Sequence, residues 1–234
     1  GDAAIAIAKD VQRQRKDSAI GYILEAESLL SVGKRAEAVK LYEEAYKREK
    51  SAASVLRLHN AHLAANQPQD AARLAADWIK ANPKDLTVRT YLAERSLAEQ
   101  KYDQAVQQYR QMLEMAPKNA MLLNNLAWAL GKLNDKSAIS VAEQAVSLAP
   151  NSPVVLDTLG TLLMDSGNTA KGIETLKKAV SLGPKLPQLR INLARALIKS
   201  GDKDGARKEL DEAQRSAPEK SPVAAEIEKI RATL

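Results

Sequence analysis

The chain has 234 residues, a net charge of +6, and a composition 45% hydrophobic but only 3% aromatic, with no Phe and no Cys. The lack of Cys excludes disulfides and thiolate metal sites without fixing a compartment, and no run approaches the ~20 apolar residues of a membrane span. Opposite charges alternate throughout, without the basic stripe and stacking aromatics of a nucleic-acid surface, so no nucleic-acid partner is expected.

Gly1 has no structural role in the pattern and reads as a scar of tag removal. Residues 2–17 read as the second helix of a preceding repeat, with Ala4, Ala8 and Val11 facing inward and Ile5 and Ile7 partly uncovered. On this reading residues 1–18 are a partial repeat, and the chain begins inside a longer array.

From residue 19 to residue 218 a ruler of prolines sets the organisation. Pro83, Pro117, Pro150, Pro184 and Pro218 fall 33 or 34 residues apart. A period of this size signals a solenoid of stacked units. Each proline lacks a donor and pushes its predecessor out of the helical region, so each ends a unit.

Between prolines the pattern predicts two helices and a turn. Leu156, Leu159, Gly160 and Leu163 recur at helical spacing, Gly167 breaks the helix, and Gly172, Leu176 and Ala179 follow before Pro184. The next unit repeats this with Leu193, Ala194, Leu197, Gly201, Ala206, Leu210, Ala213 and Pro218. Small residues at Ala26, Ala93, Ala127, Gly160 and Ala194 on first helices match Ala38, Ala71, Ala105, Ala138, Gly172 and Ala206 on second helices, which allows close ridge-into-groove packing. Gly33, Gly167 and Gly201, with Asn66 and Asn134 as substitutes, suit the left-handed conformation that ends a helix. Asp85 and Asn119 suit N-caps, and Ser152 precedes Pro153, a favoured first helical residue. Residues 219–234 read as a capping helix from Ser221-Pro222, with Val223, Ile227 and Ile230 covering the last unit.

These positions resemble the tetratricopeptide repeat over residues 19–218, as six repeats, with Tyr42, Tyr109, Leu176 and Leu210 at its second-helix position. The resemblance implies an all-α fold, an α-α superhelix or solenoid of about six repeats plus terminal helices. The departures are Lys50 in place of a proline, one residue lost near the fourth turn, and His59 and His62 where small and Tyr-like residues are usual. In that family the first helices line a concave face. The corresponding row here holds Arg57, Asn60, Tyr91, Glu94, Asn125, Trp128, Asp157, Thr158, Thr161, Asn192 and Arg195, with Leu56, Thr90 and Asn124 beside them. Asn and Arg can bond a peptide backbone or sugar hydroxyls, and Trp or Tyr offers a flat apolar platform. The competing reading is a solvent-facing row with Trp128 packed on its neighbour.

His59 and His62 share a helix face; they read either as packed, hydrogen-bonded side chains or as part of a metal site needing further ligands. No catalytic motif stands out, so neither an enzyme nor a cofactor is expected. The family's chaperone-type carboxylate clamp is absent, because Thr90, Glu94, Val154 and Thr158 stand where basic or amide residues are required.

A narrower resemblance rests on Asn124-Asn125-Leu126-Ala127-Trp128-Ala129-Leu130, Ala142-Glu143-Gln144-Ala145, Leu156-Asp157-Thr158-Leu159-Gly160 and Lys199-Ser200-Gly201-Asp202-Lys203. These strings are similar to long bacterial repeat lipoproteins encoded with exopolysaccharide and PEP-CTERM protein-sorting systems. That resemblance implies an upstream anchor, a periplasmic location at the outer membrane, and a non-catalytic scaffold binding a protein or peptide segment. The alternative it leaves open is a carbohydrate-binding module of polysaccharide export.

Overall fold

A computed structural model describes residues 2–234; Gly1, read above as a scar, lies outside them. The described residues form fourteen helices and no strand. They divide into two compact units, one ending at Glu94 and the other running from Arg95 to Leu234.

The first unit holds α1 (Asp2–Gln14), α2 (Ile20–Ser31), α3 (Arg35–Arg48), α4 (Ala52–Ala64) and α5 (Pro68–Ala81), and most of α6 (Leu86–Ala98). One core layer packs Ala26, Leu29, Ala38, Val39, Tyr42, Leu58 and Ala61; a second packs Val55, Ala75 and Val88. Gln12 fastens α1 to α2 by donating its amide to the Gly21 carbonyl at 3.1 Å and to Glu25 at 2.7 Å. Arg48 closes the α1–α2 loop from α3. It donates to the Lys16 carbonyl and the Tyr22 hydroxyl, with its guanidinium 3.9 Å from the Tyr22 ring centroid.

The second unit holds α7 (Tyr102–Met115), α8 (Ala120–Lys132), α9 (Ala138–Leu148), α10 (Pro153–Asp165), α11 (Thr169–Leu182), α12 (Pro187–Ser200), α13 (Lys203–Ser216) and α14 (Pro222–Arg231). Successive helices pack on each other, and α10 also touches α8 and α12. The main core joins Leu176, Leu189, Ile191, Leu193, Leu197, Leu210, Ile227 and Ile230. Gly160 and Gly172 let α10 and α11 nearly touch. A Cβ on Gly160 would lie 2.7 Å from Leu176 Cγ and 3.1 Å from the Gly172 oxygen.

One turn geometry recurs at every first-to-second helix junction. The residue at its centre has positive φ: Gly33, Asn66, Gln100, Asn134, Gly167 and Gly201. The next amide reaches back to a carbonyl five residues earlier, as in Lys34→Leu29, Lys101→Ser96 and Asp202→Leu197, at 2.8–2.9 Å. This is the Schellman closure that satisfies orphan helix carbonyls. At the other junctions each ruler proline sits two residues past its helix: Ala81 to Pro83, Met115 to Pro117, Leu148 to Pro150, Leu182 to Pro184 and Ser216 to Pro218. Asn119 caps α8, accepting from the Met121 and Leu122 amides, and Asp85 accepts from Thr87 N and Trp78 Nε1.

Ala4 departs from expectation. It was expected to face inward, yet it is exposed, while Ala8 is buried. The physical reason is that, among the described residues, no helix covers the side of α1 on which Ala4 lies. Ile5 is half-buried against the first core and Ile7 is 64% exposed.

Candidate functional site

The row of first-helix residues divides between the two units. In the first unit, Arg57 and Asn60 stand exposed on α4, and Glu94 stands exposed on α6. Tyr91 is half-buried, and its hydroxyl donates to Asn60 Oδ1 at 2.7 Å. The Tyr91 hydroxyl oxygen also lies 2.9 Å from His59 Nδ1, with the Tyr91 and His59 rings edge to face at 5.2 Å. The hydroxyl has one proton, so with Asn60 accepting it, His59 is the donor of the second bond. Tyr91 is thus a fixed part of a polar cluster rather than a free platform. His62 is buried and its Nδ1 lies 2.9 Å from Gln67 Oε1. Both histidines are therefore packed and hydrogen-bonded. No group of three or more His, Cys, Asp or Glu among the described residues is placed to hold a metal ion.

In the second unit Trp128 on α8 is 36% exposed. Its ring meets Tyr102 edge-on at 5.9 Å, and Lys132, one turn later, places Nζ 5.0 Å from the ring centroid. That distance is within the range of a cation–π contact. Asn125, one turn before Trp128, donates to the buried Tyr109 hydroxyl at 3.3 Å and accepts from Asn124 at 3.3 Å. Asn125 is half-buried, so part of its amide remains at the surface.

The next two repeats supply a second cluster. Thr158 is only 7% exposed, and its hydroxyl donates to the Val154 carbonyl on its own helix. Asp157 accepts from Asn192 Nδ2 at 2.7 Å, while its other oxygen is buried with no hydrogen-bond partner among the described residues. Burial raises the Asp157 carboxyl to about 6, against the Asn192 hydrogen bond, which lowers it. Thr161, Asn192, Arg195 and Lys199 rim a cavity of about 150 Å³ with Met164, Leu176 and Ala196 in its lining. Arg195 bonds Glu226 on α14 at 2.6 Å, and Lys199 donates to the Met164 carbonyl at 2.9 Å.

The row therefore holds exposed residues (Arg57, Asn60, Glu94, Trp128, Arg195), half-buried ones (Tyr91, Asn125, Asp157, Thr161, Asn192) and one buried residue, Thr158. Sequence reasoning missed Lys132, Lys199 and Tyr102. The first was within reach, because four residues after Trp128 is the same helix face. Tyr102 was not, because it opens a different helix.

Family models described as tetratricopeptide repeat match residues 23–85, 92–153 and 163–229. No curated protein matches the chain. Solved structures do. A thermophilic tetratricopeptide-repeat protein of Thermus thermophilus aligns with a TM-score of 0.65 at 21% identity, over 78% of this chain and 100% of that one. One from Parabacteroides merdae aligns at 0.69 and 14% identity, over 91% and 85%. The C-terminal part of a repeat-containing protein from Cytophaga hutchinsonii aligns at 0.64 and 14%, over 96% and 93%. At these identities the likeness is one of fold.

Proposed function

The chain belongs to the tetratricopeptide-repeat family, and from that premise we propose that it is a non-catalytic scaffold holding a protein or peptide segment against its first helices. The observation that carries this reading is Trp128. It is a large aromatic ring, partly open to solvent, with the Asn125 amide on the same helix face. A flat apolar anchor beside polar groups is the composition of a binding hot spot. In the second unit Asp157, Thr158, Thr161, Asn192 and Arg195 extend the proposed contact row, and in the first unit Arg57, Asn60, Tyr91 and Glu94 are proposed as a contact row of its own. Tyr91 and Asp157 act by holding Asn60 and Asn192 in place, while Thr158 is buried and bonds the backbone of its own helix.

The setting we propose is exopolysaccharide export or PEP-CTERM protein sorting in a bacterial envelope, in the periplasm near the outer membrane. The motif strings around Trp128 and Asp157 support it. No described helix is long and apolar enough to cross a membrane. A carbohydrate-binding module is the second reading, favoured by the same partly open indole beside Asn125. Calorimetric titration with exopolysaccharide and with segments of envelope proteins captured by pull-down separates the two. Binding of segments that is lost in Trp128→Ala supports the scaffold, and binding of polysaccharide alone supports the second reading. Binding of neither overturns both.

A further inference from the structure

The cavity between α10, α11 and α12 lies where two successive repeats of the second unit differ. Its volume is about 150 Å³, and Met164, Leu176 and Ala196, all buried, form an apolar floor under a rim that includes Thr161, Arg195 and Lys199. One repeat earlier, between α8 and α10, the corresponding space is taken by the chain itself. Leu162 stands 34 residues before Ala196, and its Cδ2 occupies the place that a Cβ on Gly131 would take. Trp128 stands in the position of Thr161, with Lys132 over its ring. Three changes open the later space. Ala196 lacks the side-chain carbons that Leu162 inserts, and Thr161 lacks the indole. Met164, in the position of Gly131, leans onto Gly172, where a Cβ would lie 2.8 Å from both its Cγ and its Sδ.

We propose that this cavity receives one uncharged aliphatic side chain, of the size of Leu, from the segment bound along the Trp128 row; the inference rests on that reading of the row. Leu162 is the precedent for the occupant, because the fifth repeat places a leucine where the sixth leaves the space. The volume agrees, since an apolar cavity of about 150 Å³ takes up a small hydrocarbon guest. The charges agree as well. Arg195 is bonded to Glu226 at 2.6 Å, and Lys199 lies 3.8 Å from Asp165 and donates to the Met164 carbonyl. Each of these rim cations has its own acid, so neither calls for a charged group on the guest. Asn192 is likewise committed, its amide donating to Asp157. The cavity belongs to the row by position, because Thr161 stands 33 residues after Trp128 and Arg195 34 residues after Thr161, at one place in the repeat. A bound segment then has two anchors, an apolar contact on Trp128 and an aliphatic side chain in the cavity. Enclosed, desolvated pockets of this kind carry most of the energy of an interface.

The test uses the full chain with its methionine methyl groups labelled for NMR. Met164 reports on the cavity, while Met115 and Met121, exposed on α7 and α8, report on unspecific contact. N-acetyl-leucinamide should shift the Met164 methyl saturably and leave Met115 and Met121 unmoved, with N-acetyl-alaninamide weaker by about tenfold or more. Ala196→Leu, which restores the residue of the preceding repeat, should abolish the shift. Thr161→Trp should do the same at the half-buried rim, and it decides the matter where Ala196→Leu fails to fold. Random peptides displayed on phage and selected on the parent chain should share a Leu, Ile or Met. Replacing that residue by Ala should weaken binding to the parent about tenfold, and binding to Ala196→Leu less than about twofold. No Met164 response, an equal response to both amides, or an unchanged response in the variants overturns the proposal. Peptides that depend on Trp128 but tolerate Ala196→Leu also overturn it, and they leave the proposed scaffold function standing. A Met164 response with no peptide selected overturns the peptide occupant together with the scaffold reading.

Discussion

Asn192 on α12 donates its side-chain amide to Asp157 on α10 across 2.7 Å, and this bond joins two neighbouring first helices. It satisfies one carboxylate oxygen and leaves the other buried without a partner among the described residues. Desolvation of the charged form outweighs the one bond, and the carboxyl rises from 3.8 to about 6. A raised folded-state value means that the folded chain holds its proton more tightly than the unfolded chain. This stabilising contribution is fully present below about pH 4 and is lost as pH rises to about 6. Asp157→Asn keeps an acceptor for Asn192 and removes the charge. The variant should melt higher than the parent at pH 7, by the equivalent of up to about 3 kcal/mol, and the gap should close by pH 4. Equal melting temperatures at both pH values would falsify this account.

Trp128 tests the proposed function. The ring is partly exposed and touches Tyr102 only edge-on. Trp128→Ala should therefore cost about 1 kcal/mol of stability rather than the roughly 3–5 kcal/mol of a buried large-to-small change. Affinity for the partner should fall by about 2 kcal/mol or more. Melting and titration on the one variant give both numbers, and normal binding by a stable variant removes Trp128 from the site.

The Gly160–Gly172 contact sets how closely α10 and α11 approach. Gly160→Leu should force the two helices apart and destabilise the second unit by about 1–3 kcal/mol. Gly201→Ala is a useful contrast. No described atom lies within 4 Å of a Cβ there, but φ is 90°, so its cost comes from the backbone alone. Hydrogen exchange should place the Gly160→Leu loss in α10 and α11, and a loss spread evenly over all helices would contradict nearest-neighbour stacking.

The C-terminal helix gives a fourth expectation. Ile227 and Ile230 on α14 are buried in the main core, and Arg231 and Glu226 tie the helix to Asp211 and Arg195. Deleting residues 219–234 should uncover that core, lower the melting temperature and reduce solubility. An unchanged melting temperature would refute a capping role for α14.

The repeat itself was legible because its causes are local. Proline restricts its own φ and its predecessor's conformation, so Pro83, Pro117, Pro150, Pro184 and Pro218 each stand just past the end of a helix. Gly33, Gly167, Gly201, Asn66 and Asn134 tolerate positive φ, and each takes it. Helical spacing of Leu and Ala then determined an all-α fold without further information.

What the tertiary structure decided lies between repeats. Gln100 and Lys220 adopt positive φ, at 59° and 55°, although neither residue type announces it. At Gln100 the turn is the same as at the glycines, with the Lys101 amide reaching back to the Ser96 carbonyl. Thr158 and Trp128 sit three positions apart in the repeat pattern, yet one is buried and the other open. Asp157 meets Asn192, 35 residues away, and Trp128 meets Tyr102 on another helix. The exposure of Ala4 depends on whether a neighbouring helix is there to cover it. Sequence by itself determined which helices end at the ruler prolines and at the Gly and Asn turns, because that chemistry acts within a few residues. Which polar side chains are buried, paired or left at the surface was decided only by the helices stacked beside them.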